Sequence, residues 1–264
     1  MKERSWQGKT NASALWMQRL EHGHHFFTFI DTNATSEAAG TGYALKRSKK
    51  KAVCVCYFGD GAASEGDAHA AFNFSATTES PVIWFCRNNG FAISTPTQDQ
   101  YRGDGIVARA SGYGMLGIRV DGNDVFAVYE VSKSARKMAI EQSRPVLIEA
   151  MTYRGSHHST SDDASRYREK AQQDWWNDIG NPIKRLRNFL TLNGLWDEQK
   201  EKDLHARLKA EIDATAKKGE SCPKAHWKYL FEDVYDTLPP NLIKYVYYFS
   251  FFSIAFLCML KQLK

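Results

Sequence analysis

The sequence predicts an α/β fold: a doubly wound parallel sheet with helices on both faces. Two short apolar runs and the helical stretch between them predict it. Val53 to Phe58 is a continuous apolar run that stops at Gly59, as a parallel strand buried on both faces does. Pro81 to Cys86 is a second run of the same kind. Between them, Asp67 to Thr78 repeats Ala70, Ala71, Phe74 and Thr77/Thr78 near a 3.6-residue period, the pattern of a helix. The alternation continues with a strand at Met115 to Val120, a helix at Val125 to Gln142 and a strand at Pro145 to Tyr153.

The other stretches follow in chain order. Met1 to Thr41 carries little period. His22, His24 and His25 stand in a polar segment without a carboxylate constellation, so an exposed or loosely structured stretch is expected rather than a metal site. Thr41 to Arg47 is the end of a helix leading into the first strand, and Lys49-Lys50-Lys51 supplies the positive charge that suits a helix C-terminus. Gly90 to Gly105, rich in Gly, Ser, Thr and Pro, is expected to be loop, followed by a short helix within Arg102 to Ser111. Asp121 to Asp124 is a turn that also caps the next helix. Pro182 to Leu192 and Glu198 to Ala216 are helical, and Leu204, Leu208 and Ile212 form a stripe for core packing or a subunit contact. Lys218 to Lys228 reads as a linker.

Composition narrows the classes. The chain has 264 residues, 43% hydrophobic and 25% charged, the balance of a soluble globular protein. A net charge of +5 is spread among acidic residues, without a basic stripe interleaved with aromatics, which argues against nucleic-acid binding. The five cysteines lack metal or redox spacing; Cys54, Cys56 and Cys86 lie within strands and read as buried reduced thiols of a reducing compartment. Met1 to Leu20 has no apolar core of a secretory signal and does not make a mitochondrial transit peptide.

Asp60 and Asn89 each follow a predicted strand, about one strand–helix–strand unit of ~30 residues apart. In a parallel sheet they converge at the carboxyl edge, where open α/β sheets bind ligands. Asp60 offers a hard anionic oxygen and Asn89 a neutral amide oxygen, while Gly61 and Ala62 lead into a helix whose free N–H groups can receive an anion. Two oxygen ligands facing an anion cradle suit Mg²⁺ on a diphosphate. The polar loop Arg154 to Asp163 leaves the same edge and carries His157 and His158, and an imidazole there can pass a proton either way.

Gly59-Asp60-Gly61 followed by Asn88-Asn89 resembles the thiamine diphosphate fingerprint of the 2-oxo acid dehydrogenase family. Tyr57 to His69, Phe85 to Pro96 and Gly155 to Asp163 are most similar to the alpha subunits of its branched-chain members, over about Gly42 to Leu242. The resemblance implies domains at residues 1–41 (an atypical N-terminal segment), 42–242 (a thiamine diphosphate-binding domain with a helical extension) and 243–264 (a hydrophobic tail). It implies Asp60, Asn89 and the Phe91 carbonyl around Mg²⁺, with Gly61, Ala62, Arg87 and His158 on thiamine diphosphate. His158 would also meet substrate and lipoyl group, and Ser159 would be a regulatory phosphorylation site; Glu169 stands where the family has a second such serine.

The implied reaction is oxidative decarboxylation of branched 2-oxo acids from leucine, isoleucine and valine, with transfer of the acyl group to a lipoyl group. The implied partners are a beta subunit in a heterotetramer, a lipoyl-bearing acyltransferase, and a regulatory kinase and phosphatase, in the mitochondrial matrix. The family's longer N-terminal portion, which supplies further cofactor contacts and most of a potassium site, is expected to be missing. Thr28 falls where one potassium ligand would be, but the neighbouring pattern has drifted and that site is not carried over. Two other readings stay open: an inactive chain that only binds the beta subunit, and a pyruvate-type alpha subunit, the latter opposed by Ser156 to Ser159 and by Asp67 to His69.

The tail departs from the family, which has a polar helix there. Tyr245 to Leu260 is 16 residues of apolar and aromatic sequence, about 24 Å as a helix against about 30 Å of hydrocarbon core. An altered C-terminus is the favoured reading, ahead of an interfacial membrane segment or a buried terminal helix.

Overall fold

The computed structural model describes the side chains of most residues from 35 to 249, together with the backbones of two strands before them. These strands are β1 (Trp16–Arg19) and β2 (His25–Phe29), in a stretch that carries little period. Helix α1 (Ala34–Arg47) then leads to β3 (Val53–Gly59), the one-turn helix α2 (Asp60–Ala63), α3 (Gly66–Thr77) and β4 (Val82–Asn88). A small hairpin, β5 (Phe91–Ala92) and β6 (Thr95–Pro96), and two helical turns, α4 (Thr97–Gln100) and α5 (Arg109–Gly112), precede β7 (Leu116–Asp121). Helix α6 (Val125–Gln142), β8 (Val146–Met151), α7 (Lys170–Asp178), α8 (Pro182–Leu192) and α9 (Glu198–Glu220) complete the order.

The sheet runs β1-β2-β3-β4-β8-β7. Strands β2, β3, β4, β8 and β7 are parallel, and β1 is an antiparallel edge. Strand β3 is therefore central rather than first, a correction to the sequence expectation. The two apolar runs are apolar throughout because both faces are covered. Cys54, Cys56, Phe58, Val82, Trp84 and Cys86 pack with α1 and α3 on one face. Val53, Val55, Ile83, Phe85 and Ile148 pack with α6 on the other. Phe72 meets Trp84 edge-on at 5.2 Å, and the Trp84 indole N–H donates to Ser75 Oγ at 3.1 Å, so the largest buried ring leaves no polar atom unmet.

Three expectations need correcting. Gly90 to Gly105 is not loop throughout, since it holds β5, β6 and α4. The short helix expected within Arg102 to Ser111 is one turn at Arg109–Gly112. Helix α9 runs on to Glu220, into the stretch read as a linker, because Lys217 and Lys218 suit its C-terminal end. Asp124 caps α6 as expected, accepting from the backbone N–H groups of Phe126 and Ala127.

The chain forms two compact units, up to Trp196 and from Asp197. Within the second, Leu208 and Ile212 are exposed, so the predicted stripe is not core of that unit. Residues 240–249 are helical, and the rest of the apolar tail lies outside the described residues, as do His22 and His24. Among the described residues no helix is long and apolar enough to cross a membrane.

Candidate active site

Three neighbouring strands end at one edge. Parallel pairing sets Gly59 of β3 beside Arg87 of β4, and Asn88 of β4 beside Met151 of β8. Adjacent strands lie about 4.8 Å apart, so residues just past their ends meet. Asp60 follows β3, Asn89 follows β4, and the loop bearing His158 follows β8.

Asp60 is fully buried. Its Oδ1 accepts from the Asn89 backbone N–H at 3.2 Å and from Asn89 Nδ2 at 3.1 Å, while Oδ2 accepts from Gln100 Nε2 at 2.9 Å. Asp60 thus has three neutral donors and, among the described residues, no ion pair. Asn89 Oδ1 is buried and, among the described residues, has no hydrogen-bond partner. A buried carboxylate without a cation beside a buried amide oxygen without a donor is a costly pair in a closed interior. The donor set, one hard anion and one amide oxygen, fits a small divalent cation. Among the described residues no cluster of three or more His, Cys, Asp or Glu side chains is arranged for a metal, so such an ion would need ligands from a diphosphate or water.

A cleft of about 510 Å³ opens beside this pair, lined by Gly61, Ala62, Arg87, Asn89, Phe91 and His158 among others. The structure therefore gathers all the predicted binding residues around one cavity, with Asp60 buried beside it. Gly59 also lines the cleft, and a side chain there would meet no atom within 4 Å, leaving space for a ligand against the backbone. Gly61 has the opposite reason to be glycine: a Cβ would lie 2.8 Å from Ala92 Cβ, because the β5–β6 hairpin packs onto α2. The expected helix after Gly61 is interrupted. Helix α2 lasts one turn, Ser64 and Glu65 break it, and α3 begins at Gly66.

The His158 loop is held by contacts that the sequence did not single out. Asp162 accepts from the His158 backbone N–H at 2.7 Å and from the Tyr167 hydroxyl at 2.6 Å, and these bonds hold its carboxyl below the usual carboxylate range. Arg168 is buried and donates to the carbonyls of Arg154 and Ser156. Its guanidinium lies over the rings of Phe91, Tyr153 and Tyr167, joining this loop to the β5 hairpin. His157 is part of the support: its Nδ1 accepts from the Ala164 backbone N–H at 2.9 Å. Ser159 is exposed, with its hydroxyl 3.3 Å from that of Ser161.

Beside Asn88, Glu149 is fully buried on β8. Burial pushes its carboxyl up, but donors from Ile106 N, Asn88 Nδ2, Val107 N and Arg119 outweigh this and hold it below the usual value. Asn88 Oδ1 in turn accepts from the Gly90 backbone N–H, fixing the turn after β4. The strand cysteines are not nucleophiles. Burial pushes the Cys54 and Cys86 thiols well up and that of Cys56 to about 12.

Comparison with known proteins adds an independent finding. The family model described as dehydrogenase E1 component matches residues 2–228. The chain is 53% identical over 222 residues to the 2-oxoisovalerate dehydrogenase subunit alpha, mitochondrial, of Homo sapiens, covering 83% of this chain and 50% of that protein. It is 50% identical over 220 residues to the subunit alpha 2 of Arabidopsis thaliana, covering 83% and 47%. The Caenorhabditis elegans subunit alpha is 52% identical over 212 residues, covering 80% and 49%. The chain spans about half the length of the curated relatives it matches.

Proposed function

Because the chain belongs to the dehydrogenase E1 component family, we propose that it is the alpha subunit of a branched-chain 2-oxo acid dehydrogenase. In this reading it decarboxylates 2-oxo acids from leucine, isoleucine and valine oxidatively and passes the acyl group to a lipoyl group. Membership of this family implies thiamine diphosphate as cofactor and a beta subunit as partner. The names of the relatives favour a mitochondrial location, which we extend to the matrix, with the acyltransferase, kinase and phosphatase of the complex as further partners.

The observation that carries the reading is the Asp60–Asn89 pair: a buried carboxylate with only neutral donors among the described residues, against an amide oxygen that meets no donor among them, on the cleft shared with His158. Asp60, Asn89 and the Phe91 carbonyl would hold Mg²⁺ against the diphosphate. When bound, thiamine diphosphate supplies the nucleophile and the electron sink for decarboxylation. Gly59 would let the backbone approach the phosphates closely, with Gly61 and Ala62 beside them on the cleft, and the Arg87 guanidinium matches their charge. His158, its backbone tied to Asp162, would give and take the proton during acyl transfer. Phe91 lines the cleft, and its contacts with Tyr167 and the Arg168 guanidinium hold it there.

A substrate panel tests the reading. The chain co-expressed with the beta subunit should turn over branched 2-oxo acids with a kcat/KM at least about tenfold above that for pyruvate, one methylene or two in an apolar pocket being worth that much. Equal rates, or a preference for pyruvate, would move it to the pyruvate-type class. Magnesium-independent failure to bind thiamine diphosphate would favour the reading as a non-enzymatic partner of the beta subunit.

Ser159 gives a second test. A phosphate there would bring roughly −1.5 to −2 charge next to Asp162 and Asp163, whose contacts hold the loop. Ser159→Asp in the assembled enzyme is expected to lower turnover and to raise hydrogen exchange across residues 155–169. Unchanged turnover and protection would refute a regulatory role for this serine.

A further inference from the structure

Gln100 ends the one-turn helix α4, distant in sequence from Asp60, yet its side chain reaches the buried carboxylate. Nε2 donates to Asp60 Oδ2 at 2.9 Å and to the Thr95 carbonyl at 3.0 Å, while Oε1 accepts from Ser64 Oγ at 3.3 Å. Both ends of the amide are engaged, so the surrounding donors and acceptors fix its orientation. Asp60 sits on a single helical turn at a strand end, where a carboxylate without such a contact could rotate. The contact is also neutral. A lysine or arginine at this place would hold the carboxylate equally well but would cancel the charge that attracts a cation. An amide orients the anion and leaves its charge available.

We propose that Gln100 is a positioning residue for the cation site, fixing the Asp60 carboxylate and tying it to the β5–β6 hairpin that carries Phe91. This inference rests on the reading of Asp60 and Asn89 as cation ligands. Through the Thr95 carbonyl, the hairpin and the carboxylate become one unit, so the position of Phe91 and that of Asp60 are set together.

The test is a calorimetric Mg²⁺ titration at fixed thiamine diphosphate, using the full chain assembled with the beta subunit. Gln100→Leu, close in volume but without a donor, should raise the half-saturating Mg²⁺ concentration about tenfold, the value of one charge-assisted hydrogen bond. At saturating Mg²⁺ its kcat should return to within about twofold of the parent, since a positioning defect is offset by excess ligand. The thermal midpoint in chelator should fall modestly, because the buried Asp60 Oδ2 loses its donor; the raised half-saturation with a recovered kcat is what separates this role from a purely structural one. Ser64→Ala, which removes the hydroxyl that Gln100 Oε1 shares with the Asp60 backbone carbonyl and leaves the carboxylate's own contacts in place, should shift half-saturation in the same direction by about twofold, and it decides the matter if Gln100→Leu fails to fold. Asp60→Ala is the reference. If Asp60→Ala loses binding while Gln100→Leu and Ser64→Ala titrate like the parent, the positioning role is overturned alone. If Asp60→Ala binds Mg²⁺ as the parent does, the cation reading falls and this inference falls with it.

Discussion

Asp60→Ala is expected to weaken Mg²⁺-dependent binding of thiamine diphosphate by more than about 100-fold, because even the outer partners of metal ligands are worth about 10–100-fold. The chain assembled with the beta subunit, titrated with cofactor at fixed Mg²⁺, gives the measurement. Affinity within about threefold of the parent, well below the loss expected for a lost ligand, would show that this carboxylate does not hold the ion. Asp60→Asn separates ligand loss from unfolding. It keeps the shape and removes the charge from a fully buried group that has only neutral donors around it. In metal-free protein Asp60→Asn relieves a buried charge but turns its own N–H toward one of the three donors, so the thermal midpoint should fall by only a few degrees while cofactor binding still collapses. A fall as large as that of Asp60→Ala together with lost binding would mark Asp60 as a structural group instead.

The largest stability effect is expected at Glu149. Glu149→Ala removes the shared acceptor of the Ile106 and Val107 backbone N–H groups, the Asn88 amide and the Arg119 guanidinium. Breaking a buried charged network by removing one partner costs about 3–5 kcal/mol. Arg119 is 36% exposed, so solvent screens its share, and the lower end, about 3 kcal/mol, is expected. Urea denaturation of the parent and the variant measures it. A loss below about 1 kcal/mol, that of a single ordinary hydrogen bond, would show that the four contacts do not act together. Gly105 belongs to this clamp: it has φ +71°, and a Cβ there would lie 2.6 Å from Glu149 Oε2, so any other residue would strain the turn and collide with the carboxylate.

The same group sets a pH dependence. Hydrogen bonds hold the folded-state carboxyl of Glu149 below its ordinary value of 4.5. A depressed pKa contributes stability that is fully present above the unfolded value and is lost as pH falls through the folded one. Acid unfolding of the parent should steepen below pH 4.5, and Glu149→Ala should flatten that part of the curve.

Much of the site was readable because its residues are local to strand ends. Asp60 and Asn89 each sit one residue beyond a strand, and parallel pairing of those strands brings them into contact. The turn at Asp121 to Asp124 was readable for a similar reason. Asp121 accepts from the Asn123 backbone N–H, as a turn residue does, and pairs with Arg185. Gln100, Glu149 and Arg168 were not readable. Each acts on backbone or side chains far away in sequence, and nothing in a lone Gln, Glu or Arg shows which distant group it will meet. The β5–β6 hairpin was hidden because Gly, Ser, Thr and Pro signal turns, and its two short strands are fixed by packing on α2 rather than by any apolar period.

The amino-acid sequence by itself determined the alternation of strands and helices, the burial of the apolar runs on both faces, and the edge on which the ligand-type residues gather. Hydrophobic period and strand-end chemistry are short-range properties, and a single strand–helix–strand unit carries them. The tertiary structure alone decided that the Asp60 carboxylate is fully buried among neutral donors, that Asn89 Oδ1 meets no donor among the described residues, and that Gln100 holds the carboxylate's other oxygen. Burial and hydrogen-bond partnership depend on groups brought together from separate stretches, and only the folded chain sets those distances.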